Sequence, residues 1–158
     1  MRIRVGMGQD SHAFEKNNSK VCRIGGVLIK ESLPFAADSD GDIVLHAICN
    51  AISSLTHVPI LGDIAISLCS RGVTNSRVYV ERALETLGSQ IISHVALSIE
   101  GKRPRLQSRS KEIRKSVAEI LHVGIEQVGL TVTSGNGLTA FAKGEGMQCL
   151  CILTAKEE

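Results

Sequence analysis

The sequence predicts an α/β fold, more closely α+β, in which a single-layer mixed sheet carries helices packed on one face. Three observations support this. Period-two strand patterns alternate with period-3.6 helix patterns along the whole chain, as expected of a sheet covered by helices. The segments are short and separated by turns, with no internal repeat and no linker. The 158 residues suit one domain, 1–158, and their 43% apolar content is ordinary for a globular core.

Residues 2–7 alternate Arg2, Ile3, Arg4, Val5, Gly6, Met7, the period of a half-buried strand. Val21 to Ile24 and Val27 to Ile29 flank Gly25-Gly26, which reads as a hairpin or bulged strand. A helix is expected from Ser39 to Leu55, with Ser39-Asp40-Gly41-Asp42 supplying its capping groups. Residues 75–87 repeat apolar positions at Val80, Ala83, Leu84 and Leu87 before Gly88, a common helix stop. Val95, Leu97 and Ile99 alternate as a strand that ends at Gly101 and Pro104. A further helix puts Ile113, Val117, Ile120 and Leu121 on one face, and Val128, Leu130 and Val132 form the next strand. Met147 to Leu153 is apolar on both faces, which predicts a fully covered strand.

Composition narrows the function. Eighteen basic and 16 acidic residues leave a net charge of +2, too balanced for a dedicated nucleic-acid binder. With aromatics at 3%, platforms for stacking bases are missing too. So aliphatic a core is often extended by oligomerisation. Local basic residues at Lys102, Arg103 and Arg105 point to a small anionic ligand. Apolar runs fall far short of the ~20 residues that span a bilayer. The N-terminus enters a strand pattern without a signal-like apolar region, so no membrane association and a cytoplasmic location are expected. Five cysteines, an odd number without Cys-x-x-Cys spacing, read as reduced thiols. Cys149 and Cys151 pack as small hydrophobes on one face of a strand.

Two periodicities deliver a candidate metal centre. Asp10 and His12, two apart in an extended segment, point the same way. On the helix, Asp42, His46 and Asn50 are spaced four apart and form one polar stripe on an otherwise apolar body. Two imidazoles and a carboxylate leave one tetrahedral position open, as in a catalytic zinc site. From the residues alone, a satisfied core histidine at His46 and a turn-capping Asp10 stay open as the other reading. The helix start offers backbone N–H groups to an anion, yet Asp38, Asp40 and Asp42 crowd it. Either a bound cation offsets that charge or the aspartates are plain caps. Ile99 to Leu106 forms a basic turn, and Thr131, Thr133, Ser134, Gly135, Asn136 and Gly137 follow another strand with groups suited to phosphate oxygens. Gly6 and Gly8 lack the third glycine of a dinucleotide fingerprint, and no P-loop sequence occurs.

Taken in order, these pieces resemble the methylerythritol cyclodiphosphate synthase family of the non-mevalonate isoprenoid pathway over the whole chain. The resemblance rests on Gly8-Gln9-Asp10-Ser11-His12, then Ser39-Asp40-Gly41-Asp42 with His46 four residues on. It continues through Leu61-Gly62-Asp63-Ile64, Arg103-Pro104-Arg105-Leu106 and Gly144-Glu145-Gly146. It implies a homotrimer with active sites between neighbouring subunits. Asp10, His12 and His46 would hold one Zn2+ per subunit, a substrate diphosphate oxygen being the fourth ligand. A second divalent ion, Mg2+ or Mn2+, would accompany the substrate. Asp63 would match the acid that holds the methylerythritol hydroxyls. Gly101, Pro104, Arg105 and Leu106 would match the loop around cytidine. Asp38 and Ser39, then Thr133, Ser134, Asn136 and Lys143, complete the implied substrate-binding set, with Asp38 and Ser134 as the catalytic candidates. The implied reaction takes 4-diphosphocytidyl-2-C-methyl-D-erythritol 2-phosphate to 2-C-methyl-D-erythritol 2,4-cyclodiphosphate and CMP, making the enzyme a metal-dependent phosphorus–oxygen lyase.

Several positions depart from the family pattern. Asp38 stands where a histidine usually precedes Ser-Asp-Gly-Asp, and Asn136 where a glutamate usually holds the second ion. Asn136 brings a carbonyl ligand but no charge, and Asp38 is a candidate source of that charge. After Ile64 the family's glycine and Phe-Pro-Asp-Thr-Asp stretch is replaced by Ala65 to Gly72, read as a shorter loop. Lys143 replaces an arginine, keeping the cation but losing the planar fork. These departures keep an alternative in view, a catalytically weak zinc-containing trimer that binds nucleotide or isoprenoid diphosphate.

Overall fold

The computed structural model describes residues 1–17 and 19–157. Among them, β1 (Arg2–Ala13), β2 (Arg23–Ile24), β3 (Val27–Leu28), α1 (Ile43–Thr56), α2 (Asp63–Ser70), α3 (Ser76–Leu84), β4 (Ile91–Glu100), α4 (Ser110–Leu121), β5 (Val128–Thr133), α5 (Ala140–Lys143) and β6 (Gly146–Glu157) follow in order. Four strands form one sheet in the order β1-β6-β4-β5. β6 runs antiparallel to both neighbours, whereas β4 and β5 are parallel, so their connection must cross over, which α4 does. The sheet is therefore mixed, as the alternating pattern predicts.

Alternation along the strands decides which face is covered. Val95, Leu97 and Ile99 of β4 and Cys149, Cys151 and Leu153 of β6 are buried under the helices. The opposite face is bare in the single chain, with Ile3, Val5 and Met7 of β1 each about 60% exposed and Ile152 of β6 49% exposed. β6 was expected to be covered on both faces; among the described residues nothing covers its second face, where Leu150 is 38% exposed.

The position of α1 follows from two small residues on β1. A Cβ at Gly8 would lie 2.2 Å from Ala47 O and 2.3 Å from Ala51 N, and one at Gly6 would lie 2.2 Å from Ala51 O. These glycines let the helix backbone rest directly on the strand. That contact explains the Gly-x-Gly pair without any dinucleotide.

Helix α1 begins at Ile43 rather than Ser39, because Asp42 is its N-cap and its Oδ1 accepts N–H groups from Val44 and Leu45, both at 3.1 Å. The same buried carboxylate accepts from Gly25 N–H (2.8 Å) and Gly26 N–H (2.7 Å) in the β2–β3 turn. Both turn glycines have positive φ, 61° and 80°, which L side chains rarely adopt. One carboxylate thus joins the hairpin to the helix. Of the two readings of this helix start, the plain cap holds for Asp42. Burial raises the Asp42 carboxyl above its ordinary value, opposed by these N–H donors.

Where a shortened loop was expected, residues 63–70 form helix α2. Its start has no side-chain cap, since Gly62 precedes it, and only Leu68 is buried. A sequence reading had neither a cap nor a clean apolar stripe to find it by. No helix among the described residues is long and apolar enough to cross a membrane.

Candidate metal centre and substrate pocket

Strand β1 carries Asp10 and His12 on the side facing α1, with exposed Ser11 between them. Helix α1 brings His46, 7% exposed, over the end of that strand. The other two members of the helical stripe are used structurally. Asp42 caps the helix, and Asn50 donates from Nδ2 to Gln9 O at 3.0 Å, tying α1 to β1. Only His46 enters the site.

Asp10 Oδ2 lies 3.0 Å from His12 Nε2 and 3.2 Å from His46 Nδ1. The two ring nitrogens are 3.4 Å apart. This oxygen is buried but has no hydrogen bond of good geometry. A tetrahedral ion bonded at about 2.0–2.1 Å separates its ligand atoms by roughly 3.3–3.4 Å, so the three atoms already stand close to the required spacing. Their identities, one carboxylate and two imidazoles, suit zinc and other borderline divalent ions. Asp10, His12 and His46 form one group able to hold a metal ion.

Electrostatics agree with the geometry. Burial would raise the Asp10 carboxyl, but the His12 and His46 rings beside it outweigh that and hold it below its ordinary value. The Asp10 carboxylate in turn raises the His12 ring, against partial desolvation. The second nitrogen of His46 also has a partner, Ser76 Oγ at 2.8 Å, and the Ala36 backbone adds to the raising of the His12 ring.

A cavity of about 890 Å³ opens over this group, lined also by exposed Asp38, by Ser39, and by Ala65, Cys69 and Tyr79 from α2 and α3. The α2 and α3 residues were not foreseen, because nothing local in the sequence aims these helices at β1. Asp63 begins α2 but lies outside this cavity, exposed beside a shallow depression shared with Arg71 and Arg82.

The remaining candidates gather at the carboxyl ends of β4 and β5. Gly101 N–H donates to Thr133 O (3.0 Å) and Lys102 N–H to Phe141 O (3.1 Å), joining three loops into one cluster. Gly101, Pro104 and Leu106 are buried there, with a cis bond between Arg103 and Pro104. Arg105, Thr133, Ser134, Asn136 and Lys143 are exposed. This cluster occupies the same rim of the sheet as Asp10 and His12, since His12 pairs with Met147 and Glu100 with both Gln148 and Thr133. Yet β5 is three strand spacings from β1, about 14 Å. None of Gly101, Pro104, Arg105, Leu106, Thr133, Ser134, Asn136 or Lys143 lines the metal cavity of the same chain.

A model of the YgbB family matches residues 3–156. The chain belongs to the YgbB family. A protein named 2-C-methyl-D-erythritol 2,4-cyclodiphosphate synthase from Chlamydia felis is 50% identical over 157 residues, 98% of this chain and 89% of that one. A protein of the same name from Chlamydia muridarum is 47% identical over 98% of this chain and 88% of its own. A solved structure described as 2C-methyl-D-erythritol-2,4-cyclodiphosphate synthase in a CDP-bound form is 25% identical, with a TM-score of 0.82 over 97% of this chain and 100% of that one. The YgbB match thus extends over essentially the whole chain, Asp10, His12 and His46 included.

Proposed function

We propose that the chain is a metal-dependent phosphorus–oxygen lyase that converts 4-diphosphocytidyl-2-C-methyl-D-erythritol 2-phosphate to 2-C-methyl-D-erythritol 2,4-cyclodiphosphate and CMP. The observation that carries this is the Asp10–His12–His46 group beside its cavity, in a chain half identical to proteins named for that product. A 2-phosphate oxygen attacks the β-phosphorus, the bridging P–O bond to the cytidine phosphate breaks, and CMP leaves with the bonding electrons. Nucleophile and electrophile belong to one molecule, so orientation alone can supply roughly 7–11 kcal/mol. No protein nucleophile is needed.

The triad holds one Zn2+ per subunit, which when bound supplies a Lewis acid toward the diphosphate oxygens. Asp38 and Ser39 border the triad cavity and face the reacting phosphates, with a second divalent ion, Mg2+ or Mn2+, accompanying the substrate. The basic, hydroxyl-bearing cluster at Gly101, Pro104, Arg105, Leu106, Thr133, Ser134, Asn136 and Lys143 receives cytidine and its phosphates. Because that cluster lies outside the triad cavity of its own chain, a complete site forms where the cluster of one subunit meets the triad of the next. Asp63 reaches the methylerythritol hydroxyls from the start of α2. The bare apolar sheet face supports the same arrangement, a homotrimer built on Val5, Met7 and Ile152. Five free thiols suit a reducing cytoplasm.

The test is phosphorus NMR of purified protein with zinc, magnesium and the proposed substrate. Cyclic diphosphate with equimolar CMP, lost in His46→Ala, is the expected outcome. A folded, zinc-loaded protein that releases no CMP would overturn the assignment.

A further inference from the structure

Asp40 and Ser76 have no role in the function described above, yet Ser76 is held against His46 and Asp40 against Ser76. Ser76 is the first residue of α3 and is fully buried, a costly place for a hydroxyl without partners. Its Oγ lies 2.8 Å from His46 Nε2 and also contacts Asp40 Oδ1. Ser76 N–H donates to Asp40 Oδ2 at 3.0 Å, so the carboxylate sits at the start of α3, where a negative charge is favoured. Asp40 is itself fixed, its N–H donating to Thr74 O (2.9 Å) and its Oδ1 accepting from Asp42 N–H (3.1 Å).

Donor and acceptor accounting gives this chain a direction. An ionised carboxylate only accepts, so the single hydroxyl proton of Ser76 is directed to Asp40. Ser76 Oγ is then left to accept from His46, and the His46 proton resides on Nε2. Ser39 Oγ, 3.4 Å from the same nitrogen and accepting from Gly41 N–H at 3.2 Å, is a weaker second neighbour. With the proton on Nε2, the neutral ring turns the lone pair of Nδ1 toward Asp10 and His12.

We propose that Asp40 and Ser76 are positioning residues that set His46 in its Nε2–H tautomer and so present Nδ1 to a divalent ion. This rests on reading the triad as a metal centre. The partner of a ligating imidazole's second nitrogen fixes tautomer and ring direction, and its loss typically weakens metal affinity about 10- to 100-fold. The relay also couples the loop before α1 to the start of α3, so the ligand's aim depends on packing remote from β1.

The experiment compares wild type with Ser76→Ala, Ser76→Thr and Asp40→Asn. Two measurements are made: zinc affinity by competition with a chromophoric chelator, and 15N imidazole spectra of the metal-free protein at pH 8. Expected are a wild-type Nε2–H signature and zinc affinity lowered about 10- to 100-fold in Ser76→Ala, restored to within about threefold in Ser76→Thr. Asp40→Asn keeps the side-chain size, removes the charge, and is expected to weaken zinc with Ser76 in place. It keeps the test open if Ser76→Ala does not fold. An Nδ1–H signature in wild type, or zinc affinity unchanged in both folded variants, would overturn the proposal. Failure of wild type to bind zinc would instead remove the metal reading beneath it, while the imidazole spectrum still reports on the relay.

Discussion

Removing the Asp42 carboxylate is expected to cost more stability than any ordinary helix cap. In Asp42→Ala, the Val44 and Leu45 amides lose their cap, a loss of about 1 kcal/mol in typical helices. The Gly25 and Gly26 amides lose the acceptor they share, and each unsatisfied buried donor costs about 1–3 kcal/mol. The sum is roughly 3–7 kcal/mol, a large part of the ~5–15 kcal/mol that holds a domain together. Asp42→Asn sorts the contributions. Its single carbonyl oxygen can keep the three bonds made by Oδ1, while its amide opposes Gly26 N–H, so the loss falls to about 1–3 kcal/mol. Urea unfolding followed by far-ultraviolet circular dichroism measures both. If Asp42→Ala loses less than about 1 kcal/mol, the carboxylate is not the tie between hairpin and helix that its four bonds indicate.

The other expectations concern packing, protonation and assembly. Gly8→Ala places a methyl against the Ala47 and Ala51 backbone and is expected to cost about 1–3 kcal/mol in urea unfolding. Because α1 must shift, it is also expected to weaken zinc binding; full stability would refute the close approach. His12 has a raised value and Asp10 a lowered one. In metal-free protein their mutual stabilisation is therefore complete between the ordinary values of the two groups, is lost as pH rises through the raised His12 value, and is lost in strong acid as pH falls through the lowered Asp10 value. A chelator-treated sample is expected to unfold at higher urea at pH 6 than at pH 8, with that difference reduced in Asp10→Asn. Met7 and Ile152 are paired neighbours on the bare sheet face. Met7→Glu with Ile152→Glu is expected to give monomers in sedimentation analysis with an unchanged circular dichroism spectrum; retention of a trimer would place the subunit contact elsewhere.

Much of the fold was legible because periodicity is a local signal. The strand at Val95 to Ile99, the α4 face at Ile113, Val117, Ile120 and Leu121, and the Gly25-Gly26 turn each declare themselves within a few residues. Helix α2 did not, since eight residues without a cap or a clean stripe carry little information. The start of α1 was misjudged for a related reason. Ser39, Asp40 and Asp42 are all acceptable caps, and only the approach of Gly25 and Gly26 selects Asp42.

Apart from α2 and α5, the kinds of element and their order are local properties of the chain, as are the spacings that put Asp10 with His12 and set Asp42, His46 and Asn50 on one helical stripe. Those properties depend on residues a few positions apart, where the geometry of helix and strand leaves little choice. Packing between distant segments decided which member of that stripe joins Asp10 and His12. Gly6 and Gly8 admit α1 to contact with β1, Asp42 is taken by the hairpin, Asn50 by Gln9, and His46 is left facing Asp10 and His12. The same packing set the loops after β4 and β5 apart from the triad, because strand order places β5 three positions from β1. How closely two elements approach, and which of several competing polar groups finds a partner, is settled by packing between distant parts of the chain, and no local pattern records it.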